Sequence, residues 1–139
     1  MSHIACDIVH LNDRVFLDDD VSMVVVPGRA GEMGFMEGHV PVLSRLNSGV
    51  VRVHLQDDSV KRFVTQGGYA YCTGDRVFIL VDRGIAVDDV DLEGLKGEEA
   101  ELKQRIDAEE EGSIKRKVLE RKLRWVYLRR DAKNEASSL

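Results

Sequence analysis

Cysteine, proline and aromatic side chains are all scarce in this chain of 139 residues, and each scarcity removes a class of protein. Cys6 and Cys72 stand too far apart in sequence for a zinc or redox motif, so the expectation is two buried thiols in strands. No apolar run approaches the roughly 20 residues that cross a bilayer as a helix. The N-terminus, MSHIACDIVHL, has neither a basic segment leading into an apolar one nor an Arg/Ser-rich amphipathic leader. A cytosolic chain, bound to a membrane only through partners, is therefore expected. The four histidines (His3, His10, His39, His54) have no metal-site spacing, and no serine or cysteine lies in a nucleophile setting. With aromatics at 6%, the core has to be built largely of Val, Leu, Ile and Met.

Two periods are present. Val51, Val53 and Leu55 alternate with Val50, Arg52 and His54, which is the period of a strand. Similar β-rich runs cover residues 4–11, 21–26, 62–65, 69–72 and 77–81. Asp18-Asp19-Asp20, Asp57-Asp58-Ser59, Gly67-Gly68 and Thr73-Gly74-Asp75 read as punctuation between them. Many short strands with no helical segment between them imply an antiparallel sandwich or barrel over residues 1–87.

From residue 88 the period becomes helical. Leu92, Leu95, Leu102 and Ile106 recur at helical spacing, which predicts a helix near 89–111 that Gly94 and Gly97 weaken. Gly112 reads as its C-terminal cap and Ser113 as the N-cap of a second helix near 113–134. Ile114, Val118, Leu119, Leu123, Trp125, Val126 and Leu128 form the apolar face of that helix, with Trp125 closing the core of the hairpin. So short a break makes the helices antiparallel neighbours. Charge follows the same division: residues 88–111 hold 3 basic and 11 acidic side chains, and residues 113–135 hold 9 and 3. The two blocks are complementary, so the basic helix is not expected to bind nucleic acid. A narrow apolar seam of this kind is also expected to detach at modest cost.

The most structured stretch is VVVPGRAGEMGFMEGHVPVLSRL, residues 24–46, which holds both prolines of the chain and four glycines. It reads as a set of shaped turns. Gly28, Gly31 and Gly34 do not make a phosphate cradle, since neither G-x-G-x-x-G nor Gly-Lys-Ser/Thr is present. Pro27-Gly28, Gly31-Glu32-x-Gly34, Gly38-His39-x-Pro41-x-Leu43, Ser48-Gly49-Val50-Val51-Arg52, Gly67-Gly68 and Val77-x-Ile79-Leu80-x-Asp82 together resemble the ε subunit of F-type ATP synthases, called δ in mitochondria.

That resemblance implies a ten-stranded β-sandwich followed by a two-helix C-terminal hairpin. It further implies a non-catalytic place in the central stalk, bound to the γ subunit and the c-ring, peripheral on the cytoplasmic side of a bacterial inner membrane. Gly31 and Glu32 match the turn that faces the c-ring, with Glu32 meeting a basic or amide partner, and His39 matches a position near the γ and c contact. A structural histidine bonding a backbone carbonyl is the other reading of His39. Lys115, Arg116, Lys117, Arg121, Lys122 and Arg124 resemble the basic surface that meets an acidic loop of the β subunit when the hairpin extends toward α and β and restrains ATP hydrolysis. Some bacterial relatives bind ATP through Ile/Leu-Asp-x-x-Arg-Ala. Here the stretch reads Val90-Asp91-Leu92-Glu93-Gly94-Leu95, so only Asp91 remains of the charged pair and ATP binding is disfavoured. The alternative outside this family is a free-standing β-sandwich and hairpin that docks other proteins and has no part in a rotary motor.

Overall fold

Strand alternation is legible directly in the structure, a computed structural model that describes residues 2–138. Ile4, Cys6 and Ile8 of β1 (Ile4–His10) point inward, as do Val24 and Val26 of β3 (Met23–Gly28) and Val51 and Val53 of β6 (Gly49–His54). So do Phe63 of β7 (Val60–Gln66), Ala70 and Cys72 of β8 (Tyr69–Cys72), and Val77, Ile79 and Val81 of β9 (Arg76–Val81). These side chains form one apolar core between two five-stranded sheets. The first sheet runs in the order β2-β1-β9-β8-β5 and the second β10-β7-β6-β3-β4. Both cysteines are free and buried in strands, and burial, with help from Asp7 and Asp18, pushes the Cys6 thiol up to about 12.

Four strands were not legible from the sequence. β2 (Asp13–Val21) continues through Asp18-Asp19-Asp20 with a register shift against β1, so the triplet is irregular edge strand rather than a turn. β4 (Gly31–Phe35) and β5 (Val42–Arg45) occupy the glycine- and proline-rich stretch, so that stretch is two short strands and their turns. β10 (Arg83–Ala86) is the fourth. All except β10 depart from clean apolar alternation, and all four lie at sheet edges, where one side of the backbone lacks a ladder partner. The β1–β9 pair is parallel, with Cys6 opposite Val77, while the other ladders are antiparallel. At the β7–β8 turn, Gly68 has φ +109° and a Cβ there would lie 1.9 Å from the Leu80 carbonyl oxygen. Only glycine lets the chain turn so close to β9.

The N-terminus is tied to the edge strand β2 and to two loops. His3 Nδ1 lies 2.6 Å from Asp20 Oδ1, Gln56 Nε2 donates to the same oxygen at 3.0 Å, and the Glu37 amide donates to Ser2 Oγ at 2.8 Å. The bond to His3, more than that to Gln56, holds the Asp20 carboxyl below the usual carboxylate range.

The chain divides after Asp88 into two compact units. In the second, Asp91 caps α1 (Leu92–Asp107), its Oδ1 accepting from the Glu93 amide at 3.2 Å. The helix is shorter than 89–111 at both ends: Val87–Asp89 is a separate 3-10 turn, and Ala108 rather than Gly112 is the C-cap. Ser113 does cap α2 (Ile114–Ser137), which runs three residues beyond the expected end. The helices pack together through Leu95, Leu102 and Ile106 of α1 and Leu119, Trp125 and Val126 of α2. Arg129 reaches across to Glu98 at 2.8 Å. Ile114 and Val118 are not on the buried face. They are 81% and 50% exposed and border an open groove with Arg105, Ala108 and Leu119.

These observations fix two expected outcomes. Gly97 lies inside α1 with open space around its Cβ position, so Gly97→Ala stabilises the helical unit by up to about 1 kcal/mol, whereas Gly68→Ala destabilises the sandwich by at least about 2 kcal/mol in urea unfolding. For Asp20 the lowered carboxyl makes a stabilising contribution that is present above its unfolded pKa and lost as pH falls through the lowered folded one. An NMR titration therefore places its midpoint below that of an ordinary aspartate, and His3→Ala moves the midpoint back up.

Candidate functional site

The outer face of the first sheet is the least water-compatible surface of the sandwich. Register places Leu43, Tyr71 and Phe78 side by side across β5, β8 and β9, and Arg45, Tyr69 and Leu80 in the next row. Leu43 is 65% exposed, Leu80 56%, Tyr69 48%, Tyr71 46% and Phe78 37%. The first row continues onto β1 and β2 through Asp7 and Leu17. Asp7 is the one acidic member and is buried, its two oxygens taking Arg14 Nε at 3.0 Å and Nη2 at 3.2 Å. Scattered exposed leucines need no explanation, but a continuous sheet face of aromatic and aliphatic side chains marks a docking surface. None of these residues was assigned to a site from the sequence, although Leu43 and Leu80 stand in the motifs that carry the resemblance. The available signal was Val77–Val81, VFILV, which is apolar at both parities and so reads as a strand covered on both faces.

The turn Gly28–Gly31 closes the β3–β4 hairpin, with Pro27 opposite Glu32. Glu32 forms an exposed ion pair within the sandwich, Arg52 Nη1 lying 3.3 Å from its Oε2. His39 lies in the loop after β4, so it and the Gly31–Glu32 turn stand at opposite ends of that strand, roughly 15 Å apart at about 3.3 Å per residue. The structure does not bring them into one patch. His39 Nδ1 is 2.7 Å from the Val40 carbonyl oxygen and its ring meets Phe35 edge-on at 5.0 Å, which is the structural reading of this histidine.

The six cations of α2 are likewise divided. Lys117, Arg121 and Arg124 share about 60° of arc at 100° per residue. Lys115 and Lys122 instead border a groove of about 470 Å³ floored by Ala108, Ile114, Val118 and Leu119. Arg116 is turned back to the Glu109 carbonyl at 3.2 Å and to Glu120 at 3.6 Å. Asp91 spends its carboxylate on the helix cap, and Gly94 beside it leaves that carboxylate room to fold back. A second cavity of about 300 Å³ opens between the helices beside Lys96 and Arg130. Both cations are already paired, Lys96 with Glu93 at 3.3 Å and Arg130 with Asp131 at 3.0 Å. No group of three or more metal-binding side chains occurs among the described residues.

Sandwich, apolar sheet face and charged hairpin define a class: a two-unit protein equipped for docking to other chains. Residues 3–87 match the family model for the β-sandwich domain of the ATP synthase delta/epsilon chain. The ATP synthase epsilon chain of Rippkaea orientalis is 30% identical over 90% of this chain and 90% of its own length. That of Magnetococcus marinus is 43% identical, over 57% of each chain, and epsilon chain 2 of Ralstonia nicotianae is 35% identical over 65% of its own length. Against these last two the matched region thus spans less than two thirds of the relative. Among solved structures, the mitochondrial ATP synthase of Euglena gracilis, resolved as OSCP, F1 and c-ring, contains a chain with the same fold. It has a TM-score of 0.70 and 19% identity, over 100% of this chain and 83% of that one. This chain belongs to the ATP synthase delta/epsilon family.

Proposed function

We infer that this chain is the ε-type subunit of the central stalk of an F-type ATP synthase, where it joins γ to the c-ring and restrains ATP hydrolysis through its hairpin. One observation carries the reading: the row Leu43, Tyr71, Phe78 and its neighbour Tyr69, Leu80 form a contiguous, exposed apolar sheet face. Each such side chain contributes about 1.5–3 kcal/mol when fully buried against a partner, which suits a permanent contact with γ. The Gly28–Gly31 end of the sandwich then faces the ring. The subunit does no chemistry of its own, transmits torque by surface complementarity, and needs no bound nucleotide. No described helix is long and apolar enough to cross a membrane, so attachment to the cytoplasmic side of a bacterial inner membrane runs through the complex.

The hairpin acts by population. It lies compact or extends toward α and β, and the difference in binding free energy between the two states sets their ratio. In the extended state the stripe Lys117, Arg121, Arg124 meets an acidic loop of β, supported by Lys115, Arg116 and Lys122.

Two measurements test this reading on F1 depleted of its own ε subunit. Tyr71→Asp together with Leu80→Lys leaves the unfolding midpoint of the isolated chain within about 0.5 kcal/mol of wild type, because both residues are exposed, yet abolishes rebinding to γ. Undiminished rebinding would remove the sheet face from the interface. Arg121→Glu with Arg124→Glu retains rebinding and raises ATP hydrolysis severalfold above that of F1 carrying the wild-type chain. Unchanged hydrolysis refutes the electrostatic role of the second helix.

A further inference from the structure

The β3–β4 end of the sandwich carries a notch of about 360 Å³ lined by Arg29, Arg45, Leu46, Asn47, Ser48 and Gly67. Its walls are held by backbone. The Arg29 amide donates to the Arg45 carbonyl at 2.9 Å, Asn47 N to Pro27 O at 2.8 Å and Leu46 N to Gly68 O at 2.9 Å. Asn47 Nδ2 adds a bond to the Gly28 carbonyl at 3.4 Å. Arg29 of the β3–β4 turn and Arg45 at the end of β5 thus line one opening. Neither forms an ion pair among the described residues, in contrast to Arg14, Arg52, Arg76, Arg116, Arg129 and Arg130. Asp82, the acidic neighbour, has its Oδ2 against Gly67 and is itself engaged.

From this geometry we propose that the notch is a carboxylate receptor, and that the sandwich meets the ring by gripping an acidic side chain with Arg29 and Arg45. The proposal deepens the central-stalk reading and rests on it. It reverses the polarity expected for this contact. Glu32, on the same turn, has its charge balanced by Arg52, so the uncompensated charge at this end is positive. Guanidinium forks fit planar carboxylates in two parallel bonds, and a second cation alongside makes an anion the only occupant that lowers the local field. The Ser48 hydroxyl and exposed backbone of the notch offer further bonds to the same oxygens.

The test compares F1 assembled with this chain on two surfaces: the purified c-ring in phosphatidylcholine nanodiscs, and empty phosphatidylglycerol nanodiscs that offer lipid phosphate alone. Arg29→Gln with Arg45→Gln is expected to weaken binding to the ring about tenfold and to flatten its salt dependence. Arg29→Lys with Arg45→Lys recovers part of the loss. Lys61→Gln, which removes a positive charge near the far end of β7 from Gly67, leaves binding unchanged. Wild-type binding that survives the double glutamine change overturns the carboxylate receptor while leaving the stalk assignment standing. A loss seen equally on empty anionic nanodiscs transfers the notch to lipid phosphate and also overturns it. Failure of the wild-type assembly to bind the ring overturns the placement in the rotor, and the proposal with it.

Discussion

The register of β9 is the constraint on which the sandwich depends. Its six residues are apolar after the first, so polarity alone does not say which of Val77, Ile79, Val81 or Phe78, Leu80 faces inward. A one-residue slip would exchange the two sets completely. Size decides instead. On the neighbouring β8 the inward positions are Ala70 and Cys72 and the outward ones Tyr69 and Tyr71. The interior has room for small side chains there and none for two tyrosine rings. Gly68 adds a backbone lock, because only a residue without a Cβ fits beside the Leu80 carbonyl. The same decision that fills the core therefore also exports Tyr69, Tyr71, Phe78 and Leu80, and the docking face is a by-product of how the core is chosen.

That coupling explains what the sequence disclosed and what it hid. Central strands were legible because their alternate residues are uniformly apolar, as in Val51 and Val53. Edge strands were not, because an edge strand needs only one partner and tolerates glycine, proline and runs of charge. Asp18-Asp19-Asp20 and the Gly31–Phe35 segment show both cases. The helix ends were misjudged for another reason. Caps depend on where a single side chain folds back: Asp91 does so onto Glu93 N, while Gly112, although at φ 81°, lies in the turn well after the helix has stopped. The sheet-face site went unnoticed because it has no chemical signature, only apolar residues at the wrong parity.

Charge was the more deceptive signal. The acidic and basic blocks of the hairpin suggested facing flanks, and some of this is present, as in Arg129 with Glu98 and Arg130 with Glu99. Exposed pairs of this kind contribute about 0–1 kcal/mol each, so apolar contacts around Leu102, Ile106, Leu119 and Trp125 carry the helix pairing. Lys117, Arg121 and Arg124 share one side of α2 and are not among its buried residues.

The same reasoning applies to the notch in the sandwich. On the central-stalk reading, one exposed carboxylate already beside an arginine adds little to a contact, since any partner would first have to compete with Arg52. Arg29 and Arg45, which line the notch and form no ion pair among the described residues, face no such competition. They are also costly to leave side by side without an anion, because like charges in one notch repel. A carboxylate from the ring would relieve that repulsion only in the assembled state. The notch therefore favours assembly by a difference between free and bound forms, and it requires no rearrangement of the sandwich to do so.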